Sequence, residues 1–345
     1  MSFMRSASLT GRSRRPLGAM RFAPVLVAAL VLSGALAPPT RAETEVSRAR
    51  IVFVTASCST GSFACPGFLR ALRTSGMRGR VISPDVREDP AGTLSLLARQ
   101  GYDLIVVELS YSDALAAVAP RFPKARFALF DAPLDWLGGV SKSNVQAVVL
   151  QPLQAAYLAG WLAARLEQRR SGKDVVGAVG GIDIPPVNDF IVGFRAGARS
   201  ADPGIKVLTG YSDDFLDANK CEAIARSQIA RGAGTVFNVA GLCGLGTLRA
   251  AKDAGVWGIG VDTDQSFLGA HILTSVLKNY DAAFLELMRQ VRSGRIRTDR
   301  TTVLTLRQGG ADLGRVSPKV PASLRAELVR LRQRIVAGEI AAPQR

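Results

Sequence analysis

The chain holds a single histidine, His271, and only 6% aromatic residues in 345 positions. One imidazole leaves no histidine-rich metal cluster, and the four cysteines contain no Cys-x-x-Cys pair, so the usual ligand spacings of a metal site are missing. A nucleophile needs a neighbouring base. Here no Gly-x-Ser-x-Gly elbow accompanies the lone imidazole, which argues against nucleophilic catalysis. Neither the dinucleotide fingerprint Gly-x-Gly-x-x-Gly nor a Gly-Lys-Ser/Thr phosphate loop occurs. Low-complexity tracts and solenoid repeats are also lacking. No helix-turn-helix, zinc-finger or aromatic RNA-binding signature accompanies the excess of 44 Lys/Arg over 28 Asp/Glu, so nucleic acid is not an expected partner.

What is present is material for two globular domains, with 48% apolar and 21% charged residues. The first 42 residues stand apart. Arg5, Arg12, Arg14, Arg15 and Arg21 precede an apolar run from Phe22 to Ala37, then Pro38, Pro39 and a small-residue end at Ala42. This is the layout of a secretory signal, and its run falls short of the ~20 residues that span a bilayer. Residues 1–42 are therefore read as an export signal. No cysteine follows Leu-Ser-Gly-Ala-Leu-Ala, so no lipid anchor is expected. Much of the formal +16 charge lies in the signal; without it the chain carries +10. The rest is spread over helix surfaces, most densely near the C-terminus.

Beyond the signal, short apolar runs alternate with amphipathic helical patterns: Arg-Ile-Val-Phe-Val at 50–54, Asp-Leu-Ile-Val-Val-Glu-Leu at 103–109, Arg-Phe-Ala-Leu-Phe-Asp-Ala at 126–132. That rhythm predicts βαβ units and a parallel sheet buried on both faces. It restarts at 175–181, after a helix over about 153–170, and implies an α/β protein of two lobes with a cleft between them. Residues 43–170 with 270–300 are assigned to the first lobe, and 171–269 with 301–345 to the second. Four cysteines in an exported chain allow two disulfides in any of three connectivities. Pairing Cys58 with Cys65 would close a local loop, and pairing Cys221 with Cys243 would brace a glycine turn; free thiols fit an oxidising compartment less well.

That turn, Gly241-Leu242-Cys243-Gly244-Leu245-Gly246, joins an apolar strand to a helix but has the wrong spacing for a nucleotide phosphate. A close approach of backbone to an uncharged ligand is the expectation instead.

The motifs at 155–163 (AAYLAGWLA), 176–199 (VGAVGGIDIPPVNDFIVGFRAGAR), 236–255 (VFNVAGLCGLGTLRAAKDAG), 259–265 (IGVDTDQ), 272–281 (ILTSVLKNYD) and 320–340, in this order, resemble the basic membrane protein (BMP) family. These are solute-binding proteins of ABC transporters, similar to purine-nucleoside receptors. The resemblance implies a type I periplasmic-binding-protein fold, with two Rossmann-like lobes, three crossover segments and a ligand cleft that closes by a hinge. It implies a nucleoside-like ligand, a membrane permease as partner, a monomer and no cofactor. By position, Asp262 matches the ribose-binding acid and Lys278 the lysine. Phe237 matches an aromatic wall, Gly241 a close-packed turn and Asp131 a further acid. Phe63 and Phe68 supply the other aromatic wall. Where the family reads Asp-x-Ser-Phe-Asn, this chain has Thr60, Gly61, Ser62, Phe63 and Ala64, which removes two polar groups. Leaving a buried ligand donor unpaired costs about 1–3 kcal/mol.

Each choice has a plainer structural counterpart. The phenylalanines fit a core, Asp262 and Asp264 fit helix caps, and Asp131 fits a turn before Pro133. A hydrolase built on Asp262 and Asp264 is the catalytic alternative, but i, i+2 spacing gives no assurance of a shared face. A sensor reporting ligand to a membrane partner is the other. Trp136, Trp161 and Trp257 are read as packing residues.

Overall fold

The computed structural model describes residues 49–341, except 57, 59–62, 85–88, 140–141 and 171–173. The export signal, the motif residues Thr60 to Ser62 and the 171–173 connection lie outside the described residues.

Two six-stranded sheets carry the fold. The first contains β1 (Arg50–Val54), β2 (Arg78–Ile82), β3 (Leu104–Glu108), β4 (Phe127–Phe130), β5 (Val145–Leu150) and β11 (Arg300–Leu304), in the order β11-β5-β4-β3-β1-β2. The second contains β6 (Val175–Gly180), β7 (Lys206–Tyr211), β8 (Thr235–Val239), β9 (Trp257–Asp262), β10 (Ile272–Lys278) and β12 (Ala311–Leu313), in the order β12-β10-β9-β8-β6-β7. Every pairing is parallel except β10 with β12. Central strands such as β1, β4 and β8 are buried nearly throughout, as continuous apolar runs require when helices cover both faces. Both sheets have the doubly wound order 2-1-3-4-5, which places ligand crevices at the C-terminal strand ends.

Helices α1 (Ala64–Ser75), α2 (Pro90–Arg99), α3 (Ser112–Val118) and α8 (Tyr280–Arg292) cover the first sheet, and α4 (Leu153–Glu167), α5 (Pro185–Ala201), α6 (Ala218–Ala230), α7 (Gly244–Asp253) and α9 (Ala322–Ala337) the second. Their ends follow local chemistry. Asp89 caps α2 by accepting from Gly92 N at 2.7 Å, Asp217 caps α6, and Asn279 caps α8. Asp281 sits inside the first turn of α8 and pairs instead with Arg70 of α1 at 2.7 Å.

Among the described residues the chain passes between lobes three times: at Gln151 and Pro152 between β5 and α4, at Asn279 between β10 and α8, and at 305–310 between β11 and β12. The described lobes differ in makeup from the division read along the sequence. β10 pairs with β9 in the second sheet, from Ile272 beside Gly258 to Leu277 beside Asp262, whereas 270–279 was assigned to the first lobe. β11 pairs with β5 in the first sheet, although 301–304 was assigned to the second lobe. Helix α4 packs in the second lobe because its small residues fit α5. A Cβ added at Gly160 would meet the Phe194 carbonyl, and one at Gly197 would meet the Tyr157 carbonyl. The fifth strand of each lobe thus feeds a helix of the other.

Both expected disulfides are formed. Cys58–Cys65 (Cα atoms 5.4 Å apart) ties the segment after β1 to α1, and Cys221–Cys243 (5.6 Å) ties α6 to the turn before α7.

Candidate functional site

The chemistry gathers where β4, β9 and β10 end beside the crossover at Asn279. Asp131 follows β4 and Asp262 ends β9, and both adopt left-handed backbone, with φ of 61° and 64°. A short carboxylate side chain tolerates that region better than a β-branched one, and such conformations concentrate at functional sites. Asp131 accepts from Leu150 N at 3.2 Å and from Lys278 Nζ at 2.7 Å. The Lys278 side chain is 8% exposed and that of its partner 21%. Nζ also lies 5.5 Å from the Phe190 ring centroid. On the other side of Asn279, Tyr280 of the first lobe and Asp262 of the second line one cavity. Glu108, at the end of β3, accepts from Thr55 Oγ1 and Ala56 N, each at 2.7 Å, and so fixes the end of β1.

Burial pushes the Asp262 carboxyl up; Lys278 pulls it back and Asp131 adds to the rise. Burial also works against the Lys278 charge, yet Asp131 and Asp262 outweigh it and hold the ammonium above the ordinary lysine value. The Tyr280 phenol stands well above its usual range because it is buried and because Asp262, Asp131 and Glu108 surround it with negative charge. At neutral pH Lys278 is therefore charged and Tyr280 is a proton donor.

A cavity of about 650 Å³ opens here, within the ~300–1,000 Å³ range of small-molecule sites. The first lobe contributes Phe63, Pro66, Arg70, Tyr280 and Asp281, and the second contributes Asp262, Thr263, Asp264 and Lys278. On the far side of Lys278 a pocket of about 20 Å³ lies between Asp131, Pro133 and Trp136 of the first lobe and Pro185, Pro186 and Asp189 of the second.

Four of the residues singled out in the sequence meet at this place: Phe63, Asp131, Asp262 and Lys278. Three do not line these cavities. Phe68 is fully buried against Phe53 and Phe284, with centroids 5.5 and 5.1 Å away. Phe237 is fully buried against Phe194 and Phe190, so it supports the Lys278 environment only through the Phe190 ring. Gly241 takes φ 55° and lies against Phe215. The other glycines of that turn also serve packing. Gly244 leaves room for the Asn238 amide, and Gly246 for the Ala218 carbonyl. Asp264 accepts from Ser266 N at 3.0 Å and Arg315 N at 3.3 Å, so its carboxylate organises the loop after β9. Tyr280, Phe190, Asp189 and Trp136 were missed. Tyr280 alone left a legible trace, an aromatic residue two positions after Lys278 where a strand pattern gives way to a helix.

No helix among the described residues is long and apolar enough to cross a membrane, and none of their His, Cys, Asp and Glu residues form a group placed to hold a metal ion.

Two doubly wound lobes, three crossovers and an interlobar cavity define a type I periplasmic solute-binding fold. The chain belongs to the Bmp family, described as ABC transporter substrate-binding protein PnrA-like, whose model matches residues 67–345. It is 38% identical to basic membrane protein B of Borrelia garinii subsp. bavariensis over 197 residues, 56% of each chain. It is 27% identical to the ABC transporter nucleoside-binding protein BmpA of Lactococcus lactis subsp. cremoris over 266 residues, 72% of this chain and 73% of that one. The match thus spans little more than half the length of the Borrelia relative. A crystal structure of an ABC transporter solute-binding protein from Aeropyrum pernix K1 shares the fold, with a TM-score of 0.70, 24% identity, and coverage of 86% of this chain and 94% of that one.

Proposed function

We propose that this protein is the exported solute receptor of an ABC importer, and that it holds a nucleoside-like molecule, unreacted, between lobes that close on it. One observation carries the reading. Asp131 from the first lobe and Asp262 from the second converge on Lys278 at a crossover, beside a cavity walled by both lobes. Paired acids can accept hydrogen bonds from vicinal ligand hydroxyls, and the lysine can donate to a ring or hydroxyl oxygen. Phe63 and Tyr280 offer ring surface suited to a flat heterocycle. The function of the Lactococcus relative supports the ligand class, and family membership supports a permease as partner. The reading includes no catalytic step, because the site binds through compensated charges rather than through a nucleophile aligned with a base.

A thermal-shift screen of nucleosides, free bases and sugars tests it. Stabilisation should rise with ligand concentration, by about 2.7 kcal/mol at a hundredfold excess over Kd, and the ligand should be recovered intact. Asp262→Ala should abolish that shift while leaving the ligand-free melting temperature nearly unchanged. Unaltered affinity in this variant would remove Asp262 from the site, and turnover of the ligand would replace the receptor reading with an enzymatic one.

A further inference from the structure

The turn after β9 has an unusual shape, and one buried side chain accounts for it. Thr263 N donates to Val261 O at 2.7 Å, around Asp262 with φ 64°. A hydrogen bond from residue i+2 back to residue i, about a central residue of positive φ, makes a γ-turn of the rare and strained kind. Such backbone persists only where its surroundings over-determine it. Strand β8 pairs with β9 only as far as Ile259, and two residues later the Val261 amide takes its acceptor from a side chain, Gln265 Oε1, at 2.9 Å. The Gln265 backbone N in turn donates to Ser275 Oγ of β10 at 2.9 Å. Asn238 of β8 completes the cluster: its Nδ2 lies 3.5 Å from Gln265 Oε1, and its Oδ1 accepts from Ala240 N at 2.9 Å. Gln265, Ser275 and Asn238 are all buried. Gly260 makes room for them, since a Cβ there would come within 2.5 Å of both Gln265 Oε1 and Ser275 Oγ. The residues between the two anchors, Asp262, Thr263 and Asp264, line the interlobar cavity, whereas Gln265 is only 6% exposed.

We infer that Gln265 is a positioning residue of the binding site: by tying Val261 to Ser275 it holds the strained turn that carries Asp262, and so sets the direction in which this carboxylate meets a ligand hydroxyl. An amide suits the task, because its oxygen accepts from a buried backbone N–H without adding another negative charge beside Asp262 and Asp264. Ser275 and Lys278 belong to one strand, so the same bridge fixes the acid relative to the lysine. Recognition of a hydroxyl-bearing solute thus depends on a residue that acts through Asp262 rather than by touching the solute. The inference rests on the proposed solute-binding role.

The test uses the full chain with Gln265→Met, which keeps the side-chain length and removes the acceptor, and with Ser275→Ala, which removes the second anchor. Each is titrated with adenosine, inosine and guanosine and with the 2′-deoxy and 3′-deoxy form of each. In the wild type, losing the hydroxyl that Asp262 accepts from should weaken binding about ten- to hundredfold, the range of a hydrogen bond to a charged group. Gln265→Met should weaken the preferred ribonucleoside by about tenfold and that deoxy form hardly at all, so that discrimination between the two collapses. Ser275→Ala should shift the ratio in the same direction by less. A purely structural role would lower the melting temperature and leave the discrimination ratio at its wild-type value, and that result would overturn the proposal. Unchanged binding by both variants while Asp262→Ala does not bind would also overturn it, and leaves the receptor reading intact. If Gln265→Met does not fold, Ser275→Ala decides by the same ratio. Equal affinity of the wild type for all forms of its preferred nucleoside would mean that Asp262 reads no hydroxyl, and the proposal would fall. If no nucleoside shifts the wild-type protein, the receptor reading falls and this inference falls with it.

Discussion

In the first lobe the face of the sheet toward α1 and α8 is filled by rings. Phe53, Phe68, Phe130 and Phe284 meet at centroid distances of 4.2 to 5.7 Å. In the second lobe the face beneath α4 and α5 depends on missing side chains, where Gly160, Gly193 and Gly197 bring helix backbones against Phe194, Leu153 and Tyr157 carbonyls. The strand order is the same in both. One topology is thus held by interlocking large groups on one side of the cleft and by backbone approach on the other. The first arrangement is sensitive to lost volume and the second to added volume.

The comparison is broken most directly by reciprocal substitutions. Phe284→Ala should destabilise the first lobe by about 3–5 kcal/mol through the cavity it leaves. In the second lobe Gly197→Ala should cost about 1–3 kcal/mol by forcing α4 and α5 apart. The sign is informative here, since in an open helix the same change stabilises by about 1 kcal/mol. Chemical denaturation of the two variants measures both. A tolerated Phe284→Ala or a stabilising Gly197→Ala would show that the lobes do not differ in this way.

The disulfides offer a finer contrast. Cys221–Cys243 closes a separation of 22 residues and Cys58–Cys65 one of 7. Constraint of the unfolded chain then gives about 3 kcal/mol for the longer loop and about 2 for the shorter. Paired Cys→Ser variants should rank in that order in melting temperature, and the reverse order would mean that native contacts at the first bridge dominate.

The smallest effect concerns Glu167, 2% exposed in α4 beside Arg170, whose carboxyl is pushed up to about 7 by burial against the pull of that arginine. The folded state keeps this proton to a higher pH than the unfolded chain, which releases it near the ordinary value of 4.5. Stability therefore falls as pH rises from about 4.5 to about 7 and levels off above. Glu167→Gln should flatten that slope, because the group that titrates is gone. An unchanged slope in pH-dependent melting would move the titration to another group.

Much of this architecture was legible along the chain. Continuous apolar strands separated by amphipathic helices announce two parallel sheets, and the helices must cover both faces. Asp262 and Lys278 were legible as candidates because each stands at the polar end of an apolar strand, and the parallel fold brings those ends to the cavity. Phe68 and Phe237 were misleading for a physical reason. An aromatic residue next to a strand end is apolar in either role, and only packing decides whether its ring faces a ligand or its neighbours. The glycine turn misled in the same way, since close approach was the right reading and the approaching group was Asn238 and the α6 backbone rather than a ligand.

The order of residues by itself determined the class of fold and the existence of two lobes; it left three cysteine connectivities open, and the structure pairs Cys58 with Cys65 and Cys221 with Cys243. Only the tertiary structure decided which lobe β10, β11 and α4 join, because strand pairing and helix packing are settled by complementary surfaces distant in sequence. It also decided that Tyr280 and Asp262 line one cavity, since groups on opposite lobes become neighbours only once two separate cores have fixed their positions.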